Sequence, residues 1–122
     1  MPDMPDMAEQ SSPPSRWLVL DDRVLATIEV ARTHRERGKG LLGRDGIDGA
    51  LLLEPARSVH TFGMRFAIDV AHVDDDMRVL RLTTMAPHRL GRPVWHARGV
   101  IECEAGTFAA WGLHVGDRLE LR

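Results

Sequence analysis

The sequence predicts a mainly β domain with an α+β lean, a small distorted barrel or sandwich of about seven short strands with two short helices. Three observations lead there. Apolar runs are short and punctuated by Gly, Pro and Asp. Most of them are rich in Val, Ile, Leu and Thr, residues that suit a pleated, half-buried surface. Helix signals occur at only two places, one opened by Thr33 and one stopped by Gly112. The chain has 122 residues, which fits one domain able to bury a core without disulfides.

Residues 1–15 hold four prolines and almost no large apolar side chains, the composition of a disordered tail. The globular domain is expected over residues 16–122. Trp17 to Leu20 reads as a strand, Asp21-Asp22 as a turn, and Val24 to Val30 as a second strand. Thr33 with Glu36 three residues on has capping-box spacing, and Gly38, Gly40 and Gly43 keep the helix that follows short. Ala50 to Leu53 is a buried strand closed by Pro55. Ser58 to Phe62 and Phe66 to Val73 read as two strands joined through Gly63, a hairpin with its site at 58–69. In the second, Phe66, Ile68 and Val70 share one face while Ala67, Asp69, Ala71 and Val73 share the other. Asp74 to Asp76 turns the chain into the strand 78–83. Residues 85–97 form a long loop, of a kind that often carries function. Gly99 to Glu104 is a strand, Thr107 to Trp111 a helical turn, and Arg118 to Leu121 the last strand.

Charge and cysteine content exclude several classes. Net charge is −2, and the acids of the tail (Asp3, Asp6, Glu9) leave the body near neutral, so no nucleic-acid partner is expected. Lys39 is the only lysine; the other strong bases are arginines, a bias of codon usage or, more sharply, of phosphate recognition. A continuous arginine face from Arg32, Arg35, Arg37 and Arg44 would revive nucleic-acid binding. No apolar run is long enough to span a bilayer, and the acidic, proline-rich opening does not read as a secretory leader, so a cytoplasmic protein without membrane partners is expected. A lone Cys103 allows no internal disulfide and reads as a small buried apolar residue.

Gly38-Lys39-Gly40-Leu41-Leu42-Gly43 matches dinucleotide-binding spacing, but no strand ends at it and no helix begins from it, so it reads as a tight turn. Six histidines (34, 60, 72, 88, 96, 114) show no metal-ligand spacing, and neither a metal nor another cofactor is called for. No G-x-S-x-G elbow supports a serine triad. The segment 58–69 gathers hydroxyls, an imidazole, a guanidinium and a carboxylate. Candidate ligand-binding residues are Arg44, Ser58, His60, Thr61, Met64, Arg65, Trp95 and His96, with His60 and Asp69 as candidate acid–base residues. An Arg65–Asp69 ion pair beside a satisfied core histidine is the plainer reading of the same segment.

The block Arg37 to Arg44, followed by Ser58-Val59-His60-Thr61-Phe62-Gly63-Met64-Arg65-Phe66-Ala67-Ile68-Asp69-Val70, resembles the bacterial and archaeal family called domain of unknown function 192. The likeness covers about residues 24–121. It implies a mostly β fold with short helices and no established activity. It marks Gly40, Leu41, Arg44, His60, Thr61, Met64, Arg65 and Asp69 as signature positions without assigning roles. Members of this type often carry cysteine where Ala56 stands and proline where Ala67 stands, so thiol chemistry at the first place is absent here. Many are exported or membrane-anchored, whereas no such leader is read here.

Three functions follow as expectations. The preferred one is a module binding a small molecule or peptide around the 58–69 hairpin. The second is an enzyme using His60 as general acid or base on an arginine-bound anion. The third is a structural or interaction protein without a ligand. A monomer or weak dimer is expected.

Overall fold

Local chemistry sets most of the elements in the computed structural model, which describes residues 15–122. The strands are β1 (Ser15–Leu20), β2 (Arg23–Ala31), β3 (Ala50–Leu53), β4 (Ile68–Val73), β5 (Val79–Met85), β6 (Gly99–Glu104) and β7 (Glu120–Leu121). The helices are α1 (His34–Lys39) and α2 (Thr107–Trp111). Residues 1–14, most of the expected tail, lie outside the described residues, and β1 already begins at Ser15. Among the described residues, no helix is long and apolar enough to cross a membrane.

The expected capping box is present. Thr33 Oγ1 accepts from Glu36 N at 3.0 Å, and Glu36 Oε1 accepts from Thr33 N at 3.0 Å. Gly40 ends α1 with φ +46°, and its N–H donates to Glu36 O. At the β4–β5 turn, Asp74 Oδ1 accepts from the backbone N–H groups of Asp76 and Arg78.

One seven-stranded sheet runs in the order β5-β4-β6-β3-β2-β1-β7, mostly antiparallel, with β2 and β3 parallel. It curls into a half-barrel. At one end its two edges meet: Val79 N donates to Asp117 O and Gly116 N to Val79 O, both at 2.8 Å. Each face of the sheet carries a core. Leu18, Ile28, Leu52, Ala71 and Ile101 pack on the inner side under Phe108 of α2. Leu41, Leu51, Met64, Ile68, Val70 and Val100 pack on the other, under the glycine-rich turn and the segment after β3. The two faces read for β4 are those observed, and Cys103 is fully buried among apolar neighbours, which pushes its thiol pKa up.

The expected 58–69 hairpin does not form. The neighbours of β4 are β5 and β6, so no edge is left for a strand at 58–62. That segment is irregular and bonds instead to the loop after β5. Thr61 N donates to Arg89 O at 2.8 Å, Gly91 N to Val59 O at 2.9 Å, and His60 bridges Leu90. Ser58 and His60 are both exposed on this segment, with the buried Val59 between them.

Candidate functional site

A cleft of about 330 Å³ opens between α1 with its glycine turn on one side and residues 53–64 on the other. Ser58, His60 and Met64 line it, as do His34, Lys39 and Gly40. The turn forms because α1 cannot continue past Gly40, whose positive φ redirects the chain across the sheet. This is the tight turn read from the sequence; the helix precedes the glycines, which is the reverse of the order a dinucleotide site requires.

The base of the cleft holds Glu102, only 3% exposed. In register it lies between Leu51 of β3 and Val70 of β4, on the apolar face under the turn. A Cβ on Gly40 would stand 3.9 Å from Glu102 Oε1, so the glycine lies directly against the carboxylate. Burial pushes the pKa of Glu102 from 4.5 up to about 7, with no hydrogen bond or positive charge offsetting it. Buried carboxylates are almost always paired, so an uncommitted one at a cleft is a functional candidate. Sequence reading missed it. The signal was there: in Gly99–Glu104, Glu102 shares a face with the apolar Val100 and alternates with Ile101 and Cys103.

The sequence-derived site residues scatter. His60 is exposed at the cleft and stacks on Phe62, ring centroids 5.2 Å apart. Its Nδ1 accepts from Phe62 N at 3.3 Å, so the neutral ring carries its proton on Nε2. Ser58 is exposed and Met64 buried on the same cleft. Thr61 is fully buried and internal: its Oγ1 donates to Ala86 O at 2.6 Å and accepts from Arg89 N at 2.8 Å. Arg44 is held by both carboxylate oxygens of Glu29, at 3.0 and 3.1 Å, and that bond raises its pKa. Arg65 pairs with Asp45 at 2.8 Å on the surface, and neither lines the cleft. Trp95 and His96 are exposed and also lie outside it; the guanidinium of Arg57 sits over the Trp95 ring.

Asp69 serves neither His60 nor Arg65. Buried on the opposite face, it accepts from Thr84 Oγ1 at 2.7 Å and from the N–H groups of Gly106 and Phe108 at 3.0 Å. It thereby caps α2, whose own N-cap, Gly106, has no side chain to do so. The arginine face weighed for nucleic acid is largely committed: Arg32 pairs with Glu54, Arg44 with Glu29, and Arg37 bonds the Pro55 carbonyl at 2.8 Å. Among the described residues, the one trio of side chains close enough to share a metal ion is Asp74, Asp75 and Asp76, at the hairpin turn that Asp74 organises.

The half-barrel has close relatives in shape. A putative transcription regulator from Sinorhizobium meliloti matches with a TM-score of 0.80 at 22% identity, over 90% of this chain and 95% of that one. A protein of unknown function from Novosphingobium aromaticivorans matches with a TM-score of 0.74 at 20% identity, over 98% and 99%. At such identities the likeness concerns the fold. In sequence, a UPF0127 protein of Pyrococcus furiosus is 40% identical over 63 residues, 52% of this chain and 54% of its own, so the match spans about half of that relative's length. One from Pyrococcus abyssi is 29% identical over 98 residues, 76% of this chain and 84% of its own. The family model DUF192, described as uncharacterized ACR, matches residues 18–121. That match runs from β1 to β7 and takes in both walls of the cleft and Glu102 at its base; the chain belongs to the DUF192 family, for which no activity is established.

Proposed function

We propose that the protein is a small-molecule-binding module whose ligand enters the cleft between the glycine turn and residues 53–64. The observation that carries this reading is Glu102, a buried carboxylate at the base of the cleft that has no hydrogen-bond partner among the described residues. It selects a ligand with a hydrogen-bond donor at its inner end: an amine, an amide N–H or a hydroxyl. His60 and Ser58 at the mouth offer a second point of attachment. The cleft volume of about 330 Å³ is at the small end for ligand sites and suits a compact molecule better than a peptide.

A thermal-shift screen of amines, amides and polyols against wild type, Glu102→Ala and Arg65→Ala tests this. A ligand at 100 times its Kd stabilises by about 2.7 kcal/mol, a rise in Tm of several degrees. The expected hit is lost in Glu102→Ala and kept in Arg65→Ala. A hit indifferent to Glu102 overturns the reading. Silence across the library, with Glu102→Ala less stable than wild type, favours the structural role, for which Thr61 already serves as a fully buried internal tie.

A second reading, an enzyme, has one observation in its favour. A carboxylate with a pKa of about 7 is poised to exchange a proton near neutral pH. Glu102 then takes the acid–base role, with His60 at the mouth. Turnover of any screened ligand, rising as pH passes through 7 for a base, separates the enzyme from the binding module.

A further inference from the structure

A second cavity, of about 400 Å³, opens along β5 and the loop that follows it, and shares no lining residue with the cleft. Arg81, Arg89 and Arg92 line it, together with Thr83 and Thr84, the hydroxyl of Thr84 being given to Asp69 on the other face. Among the described residues none of these three guanidiniums pairs with a carboxylate, whereas Arg32, Arg44, Arg65 and Arg122 all do. Arg89 reaches only the carbonyl of its own neighbour, His88, at 3.5 Å.

The wall also contains His72, which faces Arg81 across the β4–β5 ladder. It is 3% exposed, and among the described residues neither ring nitrogen has a hydrogen-bond partner. Burial, then the charge of Arg81, lowers its pKa; the Arg57 carbonyl acts the other way without completing a bond. A buried polar group left unpaired is costly, and folded proteins rarely leave one so. The neutral ring offers one N–H donor and needs an acceptor. Three unpaired guanidiniums ask for the same thing: oxygen atoms carrying negative charge.

We propose that this cavity is a binding site for a small oxyanion-bearing molecule, a phosphate or a carboxylate, gripped by Arg81, Arg89 and Arg92. It lies apart from the Glu102 cleft, and its fate is independent of that site. The arginine bias of the sequence thus acquires a local use at β5, away from Arg32, Arg37 and Arg44, which are committed elsewhere.

The test is an NMR titration of the full chain with pyrophosphate and, separately, with citrate. The expected result is saturable shifts in the amides of Arg81, Thr83, Thr84 and Gly91 and in the His72 ring. Affinity should weaken about tenfold or more in the Arg81→Gln/Arg89→Gln variant, because charge-assisted hydrogen bonds are lost. Because Arg81 is half-buried, Arg89→Gln/Arg92→Gln provides a second variant confined to exposed side chains, and it should weaken binding in the same direction. Tighter binding of pyrophosphate identifies a phosphorylated ligand; tighter citrate identifies a carboxylate. Shifts that stay linear in concentration, that are unchanged in both variants, or that centre on His34 and Lys39 overturn the proposal.

Discussion

At the scale of single residues, the buried Glu102 sets a pH signature. Its carboxyl keeps a proton up to about pH 7 in the folded chain, against 4.5 for an unburied one. Between those values the unfolded chain loses a proton that the folded chain retains. Stability therefore falls as pH rises through this window and stays low above it. Glu102→Gln removes the titration. It should stabilise the protein by up to about 3 kcal/mol at about pH 8 and by far less at about pH 4, read from urea unfolding at each pH. Equal gains at both would show that the carboxylate is solvated. The residue was legible as a strand position but not as a buried acid. Burial of Glu102 depends on β6 lying between β3 and β4, and that order is decided by pairing across distant parts of the chain. Arg44 and Arg65 illustrate the same gap: the sequence shows cations, while their partners Glu29 and Asp45 lie 15 and 20 residues away.

Among elements, the legible parts were those fixed by neighbours in sequence. The Thr33–Glu36 box, the Gly112 stop after α2 and the Asp74 turn all rest on contacts a few residues apart. The strand expected at 58–62 failed because its backbone groups bond to the loop after β5, some 28 residues on. Asp69 shows how a long-range contact can organise three elements at once: from β4 it binds Thr84 of β5 and two N–H groups at the start of α2. Asp69→Ala leaves those N–H groups without their acceptor and should cost about 3 kcal/mol, measured by urea denaturation. A ligand-site role alone would leave stability unchanged, so this variant separates a structural Asp69 from a catalytic one.

Over the whole molecule, the two-sided cover of the sheet predicts a gradient of local stability. Strands β4 and β6 are flanked on both edges and, Glu104 aside, fully buried, while β7 has two residues, neither of them buried. Amide hydrogen exchange should be slowest in β4 and β6 and fastest in β7 and the outer edge of β1. The mainly β class and the strand number were legible because they need only period-two patterning and turns; the order of strands was not, because β1 finds β7 at the far end of the chain. That last pairing also bears on how the protein is made. Trp17 and Arg122 exchange two backbone hydrogen bonds, at 3.3 and 2.8 Å. During synthesis, β1 leaves the ribosome first and must wait, one edge bare, until about a hundred further residues have followed. A nascent chain stalled before residue 118 would present that bare edge to chaperones and to other copies of itself, and release of the final strand would end its exposure.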